Sequence, residues 1–344
     1  MSARARVDCI APRLLGPVPE TLAGAVASAG PFPATEWLLA RSRQQPFPGD
    51  DAESILRGLR PELPASGSLV AAAHEMAGDT GQHCFRASAV HLQPDRDRLL
   101  LFAGDSMQPS EEEAHTLTEH FNRNFGGDGL ALIWQEGDWL LLCDHPPGPD
   151  LPPLSRVAGR YLDTVLPAEE ASRRWRQLLN EVQMLLHDHP VNTEREQRGE
   201  PTLNGLWFWG GGPLSGTSLP AQSVVGKDSL SRGLARLGGT VAQGAETLQP
   251  SNRPPVSQQT ASGDSLVIWL DAETAMLGGD AQGWLEALQR FEQEVAGPLL
   301  APVKTGDTAL RIHDGAGRVH IADASARWRF WRRPRDLATF MVRE

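Results

Sequence analysis

The sequence predicts an α/β protein, because segments with the apolar spacing of helices are interleaved with short apolar runs of strand length. A chain of 344 residues is long for one compact core and short for three. One large domain, or one domain that carries an inserted second, is therefore expected. Hydrophobic residues make up 40% and charged residues 22% of the chain, as in ordinary folded proteins.

Three helices are predicted in chain order from caps and periodicity. The first opens with a capping box, in which Ser110 and Glu113 are spaced to satisfy each other's backbone N–H groups. The second is predicted from about Glu169 to Leu186, and the third from about Gln282 to Val295, where Gly297-Pro298 ends it. The residues expected to face inward are, helix by helix, Ala114, Leu117, Phe121 and Phe125; Trp175, Leu178, Leu179, Val182, Leu185 and Leu186; and Trp284, Leu285, Leu288, Phe291 and Val295.

Four strands are predicted from short runs of apolar and β-branched residues. These runs are Arg98–Phe102, Leu130–Gln135, Trp139–Cys143 and Ser265–Leu270. The second and third are expected to form a hairpin around Glu136-Gly137. Proline-rich breaks separate the elements within residues 16–34, at Pro146–Pro153 and, over the longest stretch, at about Gln249–Gly263, which is expected to be an exposed loop.

Charge and cysteine content exclude several classes of function. The net charge is −11, and an acidic chain is repelled by nucleic-acid phosphates unless its positive charge is locally concentrated. Cys9, Cys84 and Cys143 form no CxxC pair, which excludes a zinc ribbon or a thioredoxin-type site and suits a reducing compartment. No apolar run approaches the roughly 20 residues that cross a bilayer, and the apolar N-terminal stretch is too interrupted for a signal peptide. A cytoplasmic protein without a membrane partner is expected.

The densest cluster of polar residues begins where the second predicted helix ends. It holds the residues His187, Asp188, His189, Asn192, Arg195 and Asn204. Such groups suit a phosphorylated or carboxylated ligand, with Arg195 as the bidentate partner. A metal held by His187 and His189 is a weaker interpretation, because no third ligand is nearby in the sequence. A structural role, in which these groups cap the helix and order a turn, is equally open.

Two other segments carry weaker signals. The run Gly210–Thr217 (GGGPLSGT) lacks the lysine of a phosphate-binding P-loop, and a tight turn after an aromatic strand is favoured over anion binding. Asp271 and Glu273 follow the strand Ser265–Leu270, with Asp280 beyond, at the place where open α/β sheets bind ligands.

The C-terminal segment Arg327–Arg335 (RWRFWRRPR) interleaves five arginines with three aromatic residues. Basic residues beside stacking platforms suit single-stranded nucleic acid. The alternation of Arg327 and Arg329 with Trp328 and Phe330 favours a half-buried strand instead, and the acidic chain also speaks against a nucleic-acid partner.

Three segments resemble the archaeal-type cofactor-independent phosphoglycerate mutases. They are Phe85–Leu101 with the helix start Pro109–Ala114; the segment that begins His189-Pro190-Val191-Asn192 (HPVN) and continues through Arg195, Gly199 and Asn204 to Gly210-Gly211-Gly212; and Gly279-Asp280 with Trp284–Pro298. The order and spacing agree from about residue 80 onward, and the middle segment is the specific one. The whole chain looks still more like the RpfE-type regulatory proteins of proteobacteria, which carry the same HPVN…LWFWGGG signature.

The resemblance implies an alkaline-phosphatase-like core with an inserted smaller α+β domain. The core would comprise residues 1–78 and 220–344, and the inserted mutase-type domain residues 79–219. The resemblance also implies a ligand cleft, whose candidate residues are His189, Asn192, Arg195, Asn204 and Trp209. Its occupant would be a small anion, and a protein partner is the other expectation.

Departures from the mutase pattern decide the predicted function. The mutases need a nucleophilic serine and two divalent metals. Here the first strand ends in Cys9–Leu14 without an acid, and Gly30–Thr35 has no serine, although Thr35 is a conceivable substitute that resembles a helix N-cap. A ligand aspartate falls on Glu273, a ligand histidine falls on Leu277, and the late Asp-His pair falls near Asp314.

The predicted function is therefore that of a non-catalytic relative with a regulatory or ligand-binding role and no cofactor. The alternative is an active metal-dependent phosphoglycerate mutase or phosphatase with two divalent metals (manganese, zinc or magnesium). Its divergent ligands would be Asp271, Glu273, Asp280 and His313. A third hypothesis holds that the HPVN segment serves packing and that the protein acts through a partner surface.

Overall fold

The computed structural model describes residues 5–76, 81–168, 170–214, 218–248 and 264–343. Its described residues form mixed α/β structure, and the α/β class predicted from the sequence is confirmed. The strands are β1 Ala5–Ile10, β2 Arg43–Pro46, β3 His83–Asp95, β4 Arg98–Phe102, β5 Leu130–Gln135, β6 Asp138–Cys143, β7 Gly205–Pro213, β8 Ser223–Val225, β9 Ser265–Ile268, β10 Thr308–His313 and β11 Arg318–Ala322. The helices are α1 Glu20–Ala29, α2 Pro33–Arg41, α3 Ala52–Leu59, α4 Ser66–Ala73, α5 Glu111–Phe125, α6 Leu154–Val157, α7 Leu162–Val165, α8 Arg173–His187, α9 Pro190–Gln197, α10 Ser229–Leu237, α11 Asp271–Leu277, α12 Ala281–Phe291 and α13 Gly297–Thr305.

The described residues group into two compact units. The first unit comprises Met1–Leu63 and Ser218–Glu344, and the second comprises Pro64–Thr217. The resemblance implies boundaries at residues 79 and 219, whereas the second unit begins before α4, which packs on β3 and β7. The assignment of these units to a phosphatase-like core and a mutase-type insert stays a prediction.

The first unit is built on a six-stranded sheet in the order β2-β11-β10-β1-β9-β8. Strands β1, β8, β9 and β10 are parallel, and β11 runs antiparallel to both of its neighbours. In the central strand β1, the buried Val7 and Cys9 alternate with the charged Arg6 and Asp8, and Ile10 at the end of the strand is also buried. Val7 and Cys9 from this strand join one apolar cluster with Leu38 of α2, Trp284 of α12 and other residues of the surrounding helices.

The second unit is built around the long strand β3. This strand pairs antiparallel with β6 and β7 along its first part and with β4 along its last residues. Strands β5 and β6 form a hairpin, whose two turn residues Glu136 and Gly137 have φ of +48° and +91°. Both central residues of a type I′ turn need a positive φ, so the hairpin predicted around this pair is confirmed.

The helix predictions hold to within a few residues. Helix α5 has the predicted capping box, with Ser110 accepting from the Glu113 N–H and Glu113 accepting from the Ser110 N–H. Helix α8 begins at Arg173 and so starts later than predicted. The third predicted helix is α12 followed by a π-helical turn, Glu292–Ala296. The stop predicted at Gly297-Pro298 is wrong: α13 begins at Gly297 directly after this turn, because proline is tolerated in the first turn of a helix. The predicted exposed loop Gln249–Gly263 lies outside the described residues.

The strand predicted over Arg327–Arg335 and the turn predicted at Gly210-Gly211-Gly212 are both wrong. The segment Arg327–Arg335 is a 3₁₀ turn followed by a loop and not a half-buried strand, because the Arg329 and Arg332 guanidiniums bind the backbone carbonyls of Arg41 and Ser42 and leave the aromatic rings in solvent. Gly210-Gly211-Gly212 lie within β7 and not in a turn after it, since the strand continues to Pro213.

Among the residues that the structure describes, no helix is both long enough and apolar enough to cross a bilayer.

Candidate functional site

The HPVN segment forms the start of α9. His189 is the N-cap residue, and its Nδ1 accepts a hydrogen bond from the Val191 N–H at 3.3 Å. Pro190 follows at the first helical position, where its missing N–H costs nothing. The His189 ring is buried against the His120 ring, with 4.8 Å between the ring centroids. Burial lowers the pKa of His189, and the nearby positive charge of His120 and Arg123 lowers it further.

Asn192 uses its whole side-chain amide within the chain. The amide nitrogen donates to the carbonyls of Leu186 and Leu203 at 2.7 and 3.1 Å, and the amide oxygen accepts from the Leu203 N–H at 2.7 Å. The side chain thereby joins the end of α8 to the segment before β7. Asn192 is buried, so this pairing also satisfies polar groups that water cannot reach.

Arg195 is a buried guanidinium that connects three segments. Its Nη1 donates to Glu113 Oε2 of α5 at 2.8 Å, its Nη2 to the Ser106 carbonyl at 3.0 Å and its Nε to the Pro201 carbonyl at 2.8 Å. The side chains of Arg195 and Glu113 are 3% and 9% exposed. The planar guanidinium could bind a ligand anion through two parallel hydrogen bonds, but its donors are already bound to groups of the chain itself.

A groove of about 760 Å³ lies beside this ion pair, between α5 and α9. Arg195 and the half-exposed Arg198 line it, and Arg198 also binds Glu113 and Glu200. The carboxylates of the lining are Asp105, Glu112, Glu113, Glu194 and Glu200. Two guanidiniums against five carboxylates make the lining net negative, which disfavours a small anion.

Asn204 and Trp209 both contact the strand β3. The Asn204 amide accepts from the Leu92 N–H at 2.7 Å and donates to the Leu92 carbonyl at 3.0 Å, as a neighbouring strand would. Trp209 lies on β7, buried, with the Arg86 guanidinium 4.9 Å from its ring centroid. His189, Asn192 and Arg195 thus belong to α9, whereas Asn204 and Trp209 contact β3.

The glycine run of β7 is packed against its surroundings. A Cβ on Gly211 would come within 1.9 Å of the Phe85 ring, and a Cβ on Gly212 within 2.6 Å of the Ala65 side chain. The Gly211 N–H donates to Asp150 Oδ1 at 3.0 Å. These contacts explain why glycines occupy this strand.

In the first unit, the segment Gly30–Thr35, which the resemblance assigns to the nucleophile loop of the mutases, leads into α2. The Ala34 and Thr35 N–H groups donate to the Glu292 carboxylate at 2.7 and 2.9 Å, and the Thr35 hydroxyl donates to it at 2.7 Å. Phe32 is the N-cap residue, so the N-cap role expected for Thr35 is wrong. The free N–H groups of a helix start bind anions, and here a carboxylate of the chain fills that position.

Among the residues proposed as divergent metal ligands, Asp271, Asp280 and His313 have partners within the chain. Asp271 binds Arg290 at 2.8 Å, and Asp280 caps α12 by accepting from the Gly283 N–H at 2.8 Å. Glu273 lies in the first turn of α11 together with Asp271. His313 ends β10, fully buried, with its Nε2 3.3 Å from Asp8 Oδ1. Among the residues that the structure describes, no three His, Cys, Asp or Glu side chains converge to hold a metal, so the residues present do not fit a two-metal centre.

Two carboxylates, the buried Asp314 and the partly buried Asp8, lie near the end of β10. Asp314 accepts from Arg318 Nε at 3.0 Å and lies 3.1 Å from His320 Nε2, and Asp8 lies between Arg311 and His313. Burial raises the pKa of each carboxyl, but the hydrogen bonds from His320 or His313 and the neighbouring positive charges outweigh it. Both pKa values are left below the ordinary range.

These pairings cannot be predicted from the sequence. The sequence predicts Glu113 only as a capping residue, and no pattern singles out Arg198, Asp8 or Glu292. The partners of Glu113 and Thr35 lie 82 and 257 residues away in the chain. Local spacing carries no signal for such contacts.

The chain matches no family model. It is 24% identical over 291 residues to a probable 2,3-bisphosphoglycerate-independent phosphoglycerate mutase of Geobacter sulfurreducens, covering 76% of this chain and 71% of that one. It is 26% identical over 189 residues to the 2,3-bisphosphoglycerate-independent phosphoglycerate mutase of Methanopyrus kandleri, covering 49% and 45% of the two chains. Its homologues are cofactor-independent phosphoglycerate mutases.

The fold is also that of a solved structure. The PH0037 protein of Pyrococcus horikoshii superposes with a TM-score of 0.57 at 14% identity, over 98% of this chain and 93% of that one. At this identity the likeness concerns the fold alone. The resemblance to cofactor-independent phosphoglycerate mutases is thus confirmed at the level of homology, while the closer likeness to RpfE-type proteins stays a prediction.

Proposed function

We propose that this chain is a non-catalytic relative of the cofactor-independent phosphoglycerate mutases, of the RpfE-type regulatory kind, that acts by binding and not by phosphoryl transfer. The observation that carries the proposal is the Glu292 carboxylate on the N–H groups that open α2. A phosphoryl group placed there would meet a negative charge already bound. The Thr35 hydroxyl, the one candidate nucleophile of Gly30–Thr35, donates to the same carboxylate.

The ligand positions of the mutases support the same proposal. Leu277 cannot coordinate a metal, and Asp271 and Asp280 have structural partners. The rival hypothesis of an active enzyme would need Asp271, Glu273, Asp280 and His313 to converge. No such group exists among the described residues.

We further propose that the HPVN segment is architectural in this chain. Asn192, Arg195 and Asn204 direct their side-chain hydrogen bonds to backbone carbonyls, to backbone N–H groups and to Glu113. A binding role would then use another surface. A cytoplasmic location is proposed as well, because all three cysteines are free, buried thiols of the kind that a reducing compartment maintains.

Elemental analysis and an activity assay on one sample test the proposal. We expect the purified chain to hold no stoichiometric metal and to show no mutase or phosphatase turnover after manganese is added. The phosphoglycerate mutase of Methanopyrus kandleri, assayed in parallel, is the positive control. About two tightly held metals per chain together with turnover would contradict the proposal and make Asp271, Glu273 and Asp280 the residues to replace.

A further inference from the structure

A second groove, of about 970 Å³, lies in the first unit between the strand β2 and the loop that carries Arg332–Arg335. Its positive lining residues are Arg43, Arg332, Arg333 and Arg335. None of the described residues that line it is a carboxylate. In a chain with a net charge of −11, this is the local concentration of positive charge that binding of a polyanion requires.

The charge of the groove is only partly neutralised by the chain. Arg43 binds Asp323 at 3.0 Å, and Arg332 donates to the Ser42 carbonyl at 2.7 Å. Arg333 and Arg335, both exposed, have no hydrogen bond or ion pair to any described residue. Their guanidiniums are therefore available to a ligand.

Exposed aromatic rings accompany these arginines. Trp328, Phe330 and Trp331 are 64%, 70% and 66% exposed, although large apolar side chains are normally buried. Trp331 lines the groove itself, and the Arg327 guanidinium lies 5.0 Å from the Trp328 ring centroid. Flat rings in solvent beside guanidiniums are the platforms on which the bases of single strands stack.

The strand at the edge of the groove argues against a peptide that pairs as an additional strand. The Phe47 N–H donates to the Gly317 carbonyl, and this bond continues the β2–β11 register. Because hydrogen-bonded positions alternate along an antiparallel pair, the backbone N–H and carbonyl groups of Arg43 and Gln45 also point toward β11. Of the outward positions, Pro46 has no N–H, and the neighbouring Ser42 carbonyl is bound by Arg332. Gln44 alone offers an outward backbone N–H, which is too little for strand pairing.

We propose that this groove binds single-stranded nucleic acid. Arg333 and Arg335 contact successive phosphates, and Trp331 stacks on a base. The backbone and the bases are recognised by charge and by ring faces, so little dependence on sequence is expected. This inference deepens the proposed binding role and rests on it.

The test measures fluorescence anisotropy of a labelled single strand of about 12 nucleotides with the full chain at low and moderate salt. Binding is expected to weaken with salt. Arg333→Glu and Arg335→Glu should each weaken binding roughly tenfold at low salt and flatten the logarithmic salt dependence by about 0.7 per lost phosphate contact. Trp331→Ala should weaken binding roughly tenfold with an unchanged salt slope.

Arg57→Glu is the matched control, because Arg57 is an exposed arginine of α3 in the same unit and its reversal changes the net charge equally. It should change the affinity less than about twofold in moderate salt, where distant exposed charges are screened. Circular dichroism of each variant establishes that it is folded.

Three results would overturn the inference: no salt-dependent binding by the unchanged chain, an equal loss in Arg57→Glu, or a polyglutamate peptide that binds more tightly than the oligonucleotide. The last would make the groove an acidic-protein surface. The assay is independent of the turnover assay, so oligonucleotide binding and the absence of catalysis can each fail alone.

Discussion

Three charged side chains of the described residues, the buried Arg195 and Asp314 and the partly buried Glu292, are paired with other groups of the chain. Arg195 donates hydrogen bonds to Glu113 and to two backbone carbonyls. Asp314 is hydrogen-bonded to His320 and Arg318, and Glu292 accepts hydrogen bonds from the N–H groups that open α2. A buried charge without a partner would cost several kcal/mol, so each of these networks constrains what its residues can do for a ligand. Residues that resemble a binding site can therefore be structural when their donors and acceptors are saturated.

Replacing Arg195 tests its structural role. Arg195→Ala should lower the free energy of unfolding by about 3–5 kcal/mol, because it leaves Glu113 and two carbonyls short of a buried donor. Arg198→Ala is the matched control, and its loss should be much smaller because the Arg198 side chain is 45% exposed. Urea unfolding of both variants is the measurement, and equal losses would contradict the assignment.

The lowered pKa of Asp314 predicts a pH dependence of stability. A carboxyl whose folded pKa lies below its unfolded value of about 3.9 stabilises the fold above that value, and the contribution is lost as pH falls through the folded pKa. Asp314→Asn should therefore cost about 3 kcal/mol near pH 7, and less near pH 3. The exposed Asp97 gives the control Asp97→Asn. A difference between Asp314→Asn and the unchanged chain that stays constant across this pH range would refute the assignment.

At the scale of elements, the predictions that hold concern features determined by residues close together in the sequence. The capping box of α5, its buried apolar face and the hairpin at Glu136-Gly137 all depend on residues a few positions apart. The strand prediction for Arg327–Arg335 failed because alternation of arginine with aromatic residues suits a strand and a solvated loop equally well. What decides between them are the bonds of Arg329 and Arg332 to carbonyls 288 and 290 residues away.

The packing of β7 gives a prediction for one glycine. Gly211→Ala should lower the free energy of unfolding by about 1–3 kcal/mol, because the new Cβ would overlap the Phe85 ring and force it to move. Gly127→Ala, in the same unit, is the control, since a Cβ there has no atom within 4 Å. The midpoint of urea unfolding measures both. A neutral Gly211→Ala variant would show that the contact is not tight.

For the whole molecule, the sequence predicted the α/β class and the homology but not the interior of the candidate site. The residues of the HPVN segment are present through Asn204, but their spacing alone does not show whether Arg195 contacts a ligand or Glu113. That distinction depends on α5 lying against α9, which is a property of the tertiary structure. The groove with Arg333 and Trp331 likewise exists only once β2 and the C-terminal loop are side by side.

The central position of β1 has a consequence for synthesis on the ribosome. Its neighbours β9 and β10 are translated long after it. Every strand of the second unit is translated after β1 and before β9. At about 5–20 residues per second, β1 waits roughly ten seconds to a minute for its partners. During that time Val7, Cys9 and Ile10 have no sheet to join. The nascent chain therefore carries β1 as an unpaired strand until β9 and β10 have been synthesised.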